Sequence, residues 1–100
     1  MATRYRHRGS SFDRFLKDQG MYEEVQAAAV KRAVAEAIED GMLQSGLSKQ
    51  AMAKRMRTSR SQLDRVLDPA YTAVQLDSVV RAAAAIGREL RISFKKAVRT

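Results

Sequence analysis

The sequence predicts an all-α fold, a bundle of five or so helices followed by a short C-terminal β-strand. Three observations predict it. Apolar residues recur at three- and four-residue intervals from Phe12 to Ile86. Ser, Gly and Pro interrupt that pattern where helices begin and end. The period changes to two only at Leu90, Ile92 and Phe94.

Taken in order, residues 1–9 (MATRYRHRG) lack apolar periodicity and read as a flexible basic arm. Ser10 or Ser11 caps a short helix with Phe12, Phe15 and Leu16 on one face, and Gly20 suits its end. Residues 21–44 read as one long helix. Its apolar stripe holds Tyr22, Val25, Ala29, Ala33 and Ala37 with neighbouring Val30, Val34 and Ile38, and leaves Lys31, Arg32, Glu36 and Glu39 off it. Gly41 costs such a helix about 1 kcal/mol and marks a place for a kink, and Gly46 suits its end.

Shorter helices follow. Ser48 caps one containing Ala51, Met52, Ala53 and Met56, and Arg57-Thr58 turns the chain. Ser59 caps the next, with Leu63, Val66 and Leu67 inward, and Pro69 stops it. After a loop through Tyr71 and Thr72, a helix runs from about Gln75 to Ile86. Its buried face is Leu76, Val79, Val80, Ala83 and Ile86, and Gly87 closes it. The chain thus divides into an arm (1–9), an N-terminal helical segment (10–46), a core (47–89) that folds as one unit with 21–46, and a strand and tail (90–100). One hundred residues suffice for one modest core.

The net charge of +8 is unevenly placed. Residues 1–40 carry seven basic and seven acidic side chains, whereas residues 41–100 carry twelve against four. The second half therefore faces a polyanion. Other classes are disfavoured. With no cysteine and a single histidine, His7, neither a metal site nor a His-based catalytic group can be assembled. Glu23-Glu24 and Glu39-Asp40 read as a solvated helix face, and no glycine-rich phosphate loop is present. No enzyme activity and no cofactor are expected. No run of about 18 apolar residues and no signal-peptide pattern occurs, so a cytoplasmic protein without a membrane partner is expected. Single-stranded RNA calls for exposed aromatics, and here only Tyr5 and Tyr71 fall outside the apolar faces.

Residues 49–66 carry the functional pattern. Two short helices joined by a tight turn cross steeply only where the first offers a small residue, and Ala53 is that residue. Met52, Met56, Thr58, Leu63 and Val66 close a shared core, which leaves Arg60, Ser61, Gln62 and Arg65 outward on the second helix. In a helix-turn-helix, this second helix enters the major groove of DNA. Arginine suits guanine O6/N7, glutamine suits adenine N6/N7, and serine is permissive. Ser48, Lys49, Lys54, Arg55, Arg57 and Ser59 surround that face as candidate phosphate contacts.

The stretch LSKQAMAKRMRTSRSQLDRVLD, residues 47–68, resembles the helix-turn-helix of the phage Cro and repressor proteins, the Xre family, with a lambda-repressor-like fold. VQLDSVVRAAAAIG, residues 74–87, is similar to the family's next helix, and the resemblance covers roughly residues 30–90. One departure is Arg57, which stands where the family usually has glycine; a left-handed conformation costs a non-glycine on the order of 1 kcal/mol. The resemblance implies a transcriptional repressor. It would bind double-stranded DNA as a homodimer on a palindromic operator, its reading helices roughly 34 Å apart, and be nucleoid-associated when bound. The lone strand through Leu90, Ile92 and Phe94 then supplies a dimer contact, either pairing with its symmetry mate or docking across the partner's long helix. Residues 10–32 look like the lead-in of the antitoxins of type II toxin–antitoxin systems. That subgroup would contact a small toxin through Phe12, Asp13, Phe15, Asp18, Glu23 and Glu24; alternatively Phe12, Phe15 and Leu16 fold back onto the core. A stand-alone repressor without a toxin, or a non-specific nucleic-acid-binding protein, is the other reading. The basic arm at Arg4, Arg6 and Arg8 either reaches a minor groove or is disordered.

Overall fold

A computed structural model describes the backbone of residues 2–97 and the side chains of residues 11–97. The expected roles of Arg4, Arg6 and Arg8, and the end of the tail at residues 98–100, lie outside the described residues. Among the described residues the chain forms four helices: α1 (Ala2–Ser45), α2 (Lys49–Met56), α3 (Arg60–Leu67) and α4 (Leu76–Ala85).

Four helices replace the expected five because α1 is continuous. It runs through the positions set aside as an arm, past Ser10 and Ser11, and through Gly20 and Gly41 without ending. The 44-residue segment contains no proline, and a single mid-helix glycine costs only about 1 kcal/mol. At 1.5 Å per residue it spans about 66 Å, which sets the molecule's longest dimension of 63 Å. The radius of gyration is 19.1 Å, well above the roughly 13 Å of a compact chain this size.

The core lies at the C-terminal end of α1. Ile38 and Met42 pack there against Met52, Ala53 and Met56 of α2, Leu63 and Val66 of α3, and Ala82, Ala85 and Ile86 at α4. The buried face of α1 is turned away from most of the predicted stripe. Ile38 is buried and Val34 half-buried as expected, but Lys31, Ala35 and Met42 share the inward face with them, while Ala29, Ala33 and Ala37 stay exposed. Alanines occur on every side of this helix, so periodicity alone does not orient it. Gly41 is buried because the Ile86 side chain lies directly against it, where a methyl group would collide. It marks a close approach of α1 to the end of α4 rather than a kink.

Tight caps end the helices. At Gly46 (φ 66°), the N–H groups of Gly46 and Leu47 donate to the carbonyls of Leu43 and Met42, a Schellman closure. Gly87 (φ 73°) ends the α4 region in the same way. On α4 itself, Val79, Ala82, Ala83 and Ala85 are buried. Leu76 and Val80, expected inside, are 61% and 48% exposed. The tail corrects a further expectation. Residues 88–97 form no strand, and no strand occurs among the described residues. An isolated strand has no ladder to hold it. Leu90 is half-buried beside α1, whereas Ile92 and Phe94 are exposed.

Candidate nucleic-acid interface

The α2–turn–α3 unit is built as its residues dictate. Ser48 and Ser59 are the N-caps, their Oγ atoms accepting from the N–H groups of Ala51 and Gln62 at 3.1 Å each. Each cap satisfies one of the donors that a helix start leaves open. Arg57 closes α2 in the left-handed region (φ 56°, ψ 46°), the only non-glycine residue with positive φ among those described. Its N–H donates to Lys54 O and that of Thr58 to Ala53 O, so the turn keeps the form that a glycine would adopt more readily. Met52, Ala53, Met56, Leu63 and Val66 are all buried, as the spacing predicts.

Fixing that core fixes the outward face. Arg60, Ser61, Gln62 and Arg65 are exposed on α3, and Lys49, Lys54, Arg55 and Arg57 are exposed on α2 and in the turn. They are not all equally available. Asp64 lies 3.5 Å from Lys49 Nζ and 3.7 Å from Arg60 Nε. Such exposed pairs contribute under about 1 kcal/mol and yield readily to a stronger partner. Arg55 is tied down, its Nη1 donating to Ala85 O at the end of α4 at 3.0 Å. This arginine holds α4 against α2. The Arg65 guanidinium sits over the Tyr71 ring at 5.7 Å, a cation–π distance.

Two features escape the sequence. The first is a polar groove of about 320 Å³ where Gln62, Arg65 and Tyr71 meet Gln75, Ser78 and Arg81 at the start of α4. It joins the exposed face of α3 to α4. The short connection after Pro69 was the available signal, because it returns the chain beside α3. The second is Lys31. The residue is 3% exposed, and its ammonium donates to the carbonyls of Arg65 (3.0 Å), Val66 (2.9 Å) and Asp68 (2.5 Å). These are acceptors at the C-terminal end of α3, where the helix leaves carbonyls unpaired and the dipole is negative. Burial lowers the Lys31 pKa below 10.5, an effect that the charge of Asp68 opposes. Lys31 therefore clamps α3 to α1 from 34 to 37 residues away in sequence.

The residues expected to meet a toxin are exposed on α1, with Phe12 and Phe15 at 58% and 56%. They have not folded back onto the core. They do not share one face, since Asp13 and Asp18 point about 140° apart around a helix. Among the described residues there is no cluster of His, Cys, Asp or Glu that could hold a metal ion, and no helix long and apolar enough to cross a membrane. Comparison with protein-family models, curated proteins and solved structures gives no match to this chain.

Proposed function

We propose that this protein is a sequence-specific DNA-binding transcriptional regulator, a repressor that acts as a homodimer on a palindromic operator in the cytoplasm. The observation that carries the reading is an exposed Arg60, Ser61, Gln62 and Arg65 face on a helix anchored at both ends, by Ser59 at its start and Lys31 at its finish. A fixed helix holds its side chains in one register against base edges, which is what discrimination between sequences requires. Lys49, Lys54 and Arg57 supply the phosphate-facing charge around it.

The test compares two single substitutions on a duplex recovered by selection from a random pool. Arg60→Ala should weaken binding to that duplex by about 1–3 kcal/mol and relax the preference at one base pair. Lys54→Ala should weaken all duplexes alike and reduce the salt slope by about one unit. Equal losses on every sequence from both would show that α3 does not read bases.

A toxin-binding role is the second reading, favoured by the exposed aromatic and acidic side chains on residues 11–30 of α1. Co-expression with the adjacent open reading frame tests it. A neighbour that is toxic alone and co-purifies with this chain supports the role, and a harmless one that does not co-purify removes it.

A further inference from the structure

Tyr71 belongs to none of the apolar faces of the sequence, and the proposed DNA contacts leave it without a role. Its position is nevertheless closely fixed. Residues 68–71 form a β-turn in which the Tyr71 N–H donates to Asp68 O at 3.1 Å. Asp68 Oδ1 also accepts from the Ala70 N–H at 2.9 Å, and Pro69 suits the second position of such a turn. Lys31 joins this turn to α3, because its buried ammonium donates to both Asp68 O and Arg65 O. One cation therefore sets the backbone of Arg65 and of the turn that carries Tyr71. The half-buried Tyr71 ring then meets the Arg65 guanidinium, whose Cζ lies 5.7 Å from the ring centroid.

The two arginines exposed on α3 are held in different ways. Arg60 shares the Asp64 carboxylate with Lys49, its Nε lying 3.7 Å away. An outside acceptor has to compete with that carboxylate. Arg65 forms no ion pair among the described residues. Asp77 lines the same groove as Arg65, but Arg81 engages it at 3.5 Å. An aromatic ring attracts a guanidinium by its charge and offers no carboxylate oxygen to its five donors. Tyr71 thus restrains the Arg65 side chain while leaving its fork to an acceptor outside the chain. A restrained arginine also has less rotamer freedom to lose when it is fixed on a base.

We propose that Tyr71 is a positioning residue whose ring holds the Arg65 fork beside the α3–α4 groove, so that Arg65 selects guanine at one base pair. This rests on the DNA reading above and deepens it, by naming a residue outside α3 on which one base preference depends. Tyr71 acts through Arg65 and not as a contact of its own. Lys31 and Tyr71 serve the same arginine, one through its backbone and the other through its side chain.

The test uses the full chain and the duplex that wild type selects from a random pool, with Arg65→Ala locating the base pair concerned. Tyr71→Leu should weaken binding to that duplex about three- to fivefold, the contribution of an exposed cation–π pair. It should relax the preference at that base pair and at no other. On duplexes altered there it should bind as wild type does, which a damaged fold would not allow. Tyr71→Phe keeps the ring and should stay within about twofold of wild type throughout. In the free protein, the Arg65 Cδ protons should resonate upfield of those of the other arginines. Tyr71→Leu should abolish that displacement and Tyr71→Phe should keep it, a readout independent of DNA.

Equal weakening of every duplex by Tyr71→Leu overturns the proposal, since Tyr71 would then contact the DNA backbone or prop the fold. So does a Tyr71→Phe that loses as much as Tyr71→Leu, and so does a wild type without the upfield displacement. A wild type that enriches no sequence removes the DNA reading and this proposal with it. Wild type and Tyr71→Leu enriching the same duplex to the same degree removes this proposal alone.

Discussion

The two halves of α1 share one continuous backbone and meet opposite environments. Residues 31–45 place Lys31, Ala35, Ile38, Gly41 and Met42 against the other three helices, whereas residues 11–30 bury no side chain fully. The helical state of the first half thus rests on local propensity, and that of the second half on packing. Isolated helices are marginal in water even when alanine-rich, so the projecting half is the part of the molecule that gains most from a partner. The packed half is what holds α3 in place.

This contrast can be broken by truncating side chains on either side of it. Leu63→Ala removes a side chain with no exposed surface and should cost about 3–5 kcal/mol by chemical denaturation. Val25→Ala, on the projecting half and 68% exposed, should stay within about 0.5 kcal/mol. Comparable losses would mean that both halves are packed alike.

Lys31 sits at the junction and sharpens the comparison. Lys31→Met fills similar space but leaves three carbonyls around the end of α3 without this donor, and should cost about 2 kcal/mol. Lys31→Arg should not restore the loss, because a planar guanidinium cannot aim its donors as an ammonium does. If Lys31→Met is neutral, α3 is held by its apolar contacts alone.

Glycine to alanine provides the same substitution in both halves with opposite signs. At Gly20, where no atom crowds the added carbon, alanine should stabilise by about 0.5–1 kcal/mol. At Gly41 it meets Ile86 and should destabilise by about 1–3 kcal/mol from overpacking. Thermal melts of the two variants decide whether the approach of α4 to α1 is as close as described. A small effect is also expected at the turn. Arg57→Gly should raise stability by about 1 kcal/mol by relieving the left-handed conformation, while weakening DNA binding through the lost charge. A loss on both counts would show that Arg57 is not strained.

The helix ends and the small core of α2 and α3 were legible because they are local. Ser48, Ser59 and Pro69 act within a few residues, and Met52, Ala53, Leu63 and Val66 are spaced for one buried seam. The orientation of α1 was not legible, since its alanines present no dominant face until Ile38 and Met42 meet the other helices. Lys31 read as a solvated charge, because its carbonyl acceptors are separated from it by more than thirty residues. Leu76 and Val80 match the period of a buried face, yet both stay largely exposed among the described residues. The alternation at Leu90, Ile92 and Phe94 has the spacing of a strand, but spacing supplies no neighbouring strand to bond with. Asp64 also tempers the cationic face of α2 and α3 more than a count of charges suggests, by sitting between Lys49 and Arg60.

The central claim is that α3 reads base edges from a homodimer. Selection of a random duplex pool by the full chain, followed by sequencing, tests it most directly. The account predicts enrichment of one inverted repeat whose half-sites lie about 10–10.5 base pairs apart, centre to centre. A pool that remains random while still binding in a salt-sensitive way would contradict it, leaving only a cationic surface for phosphate.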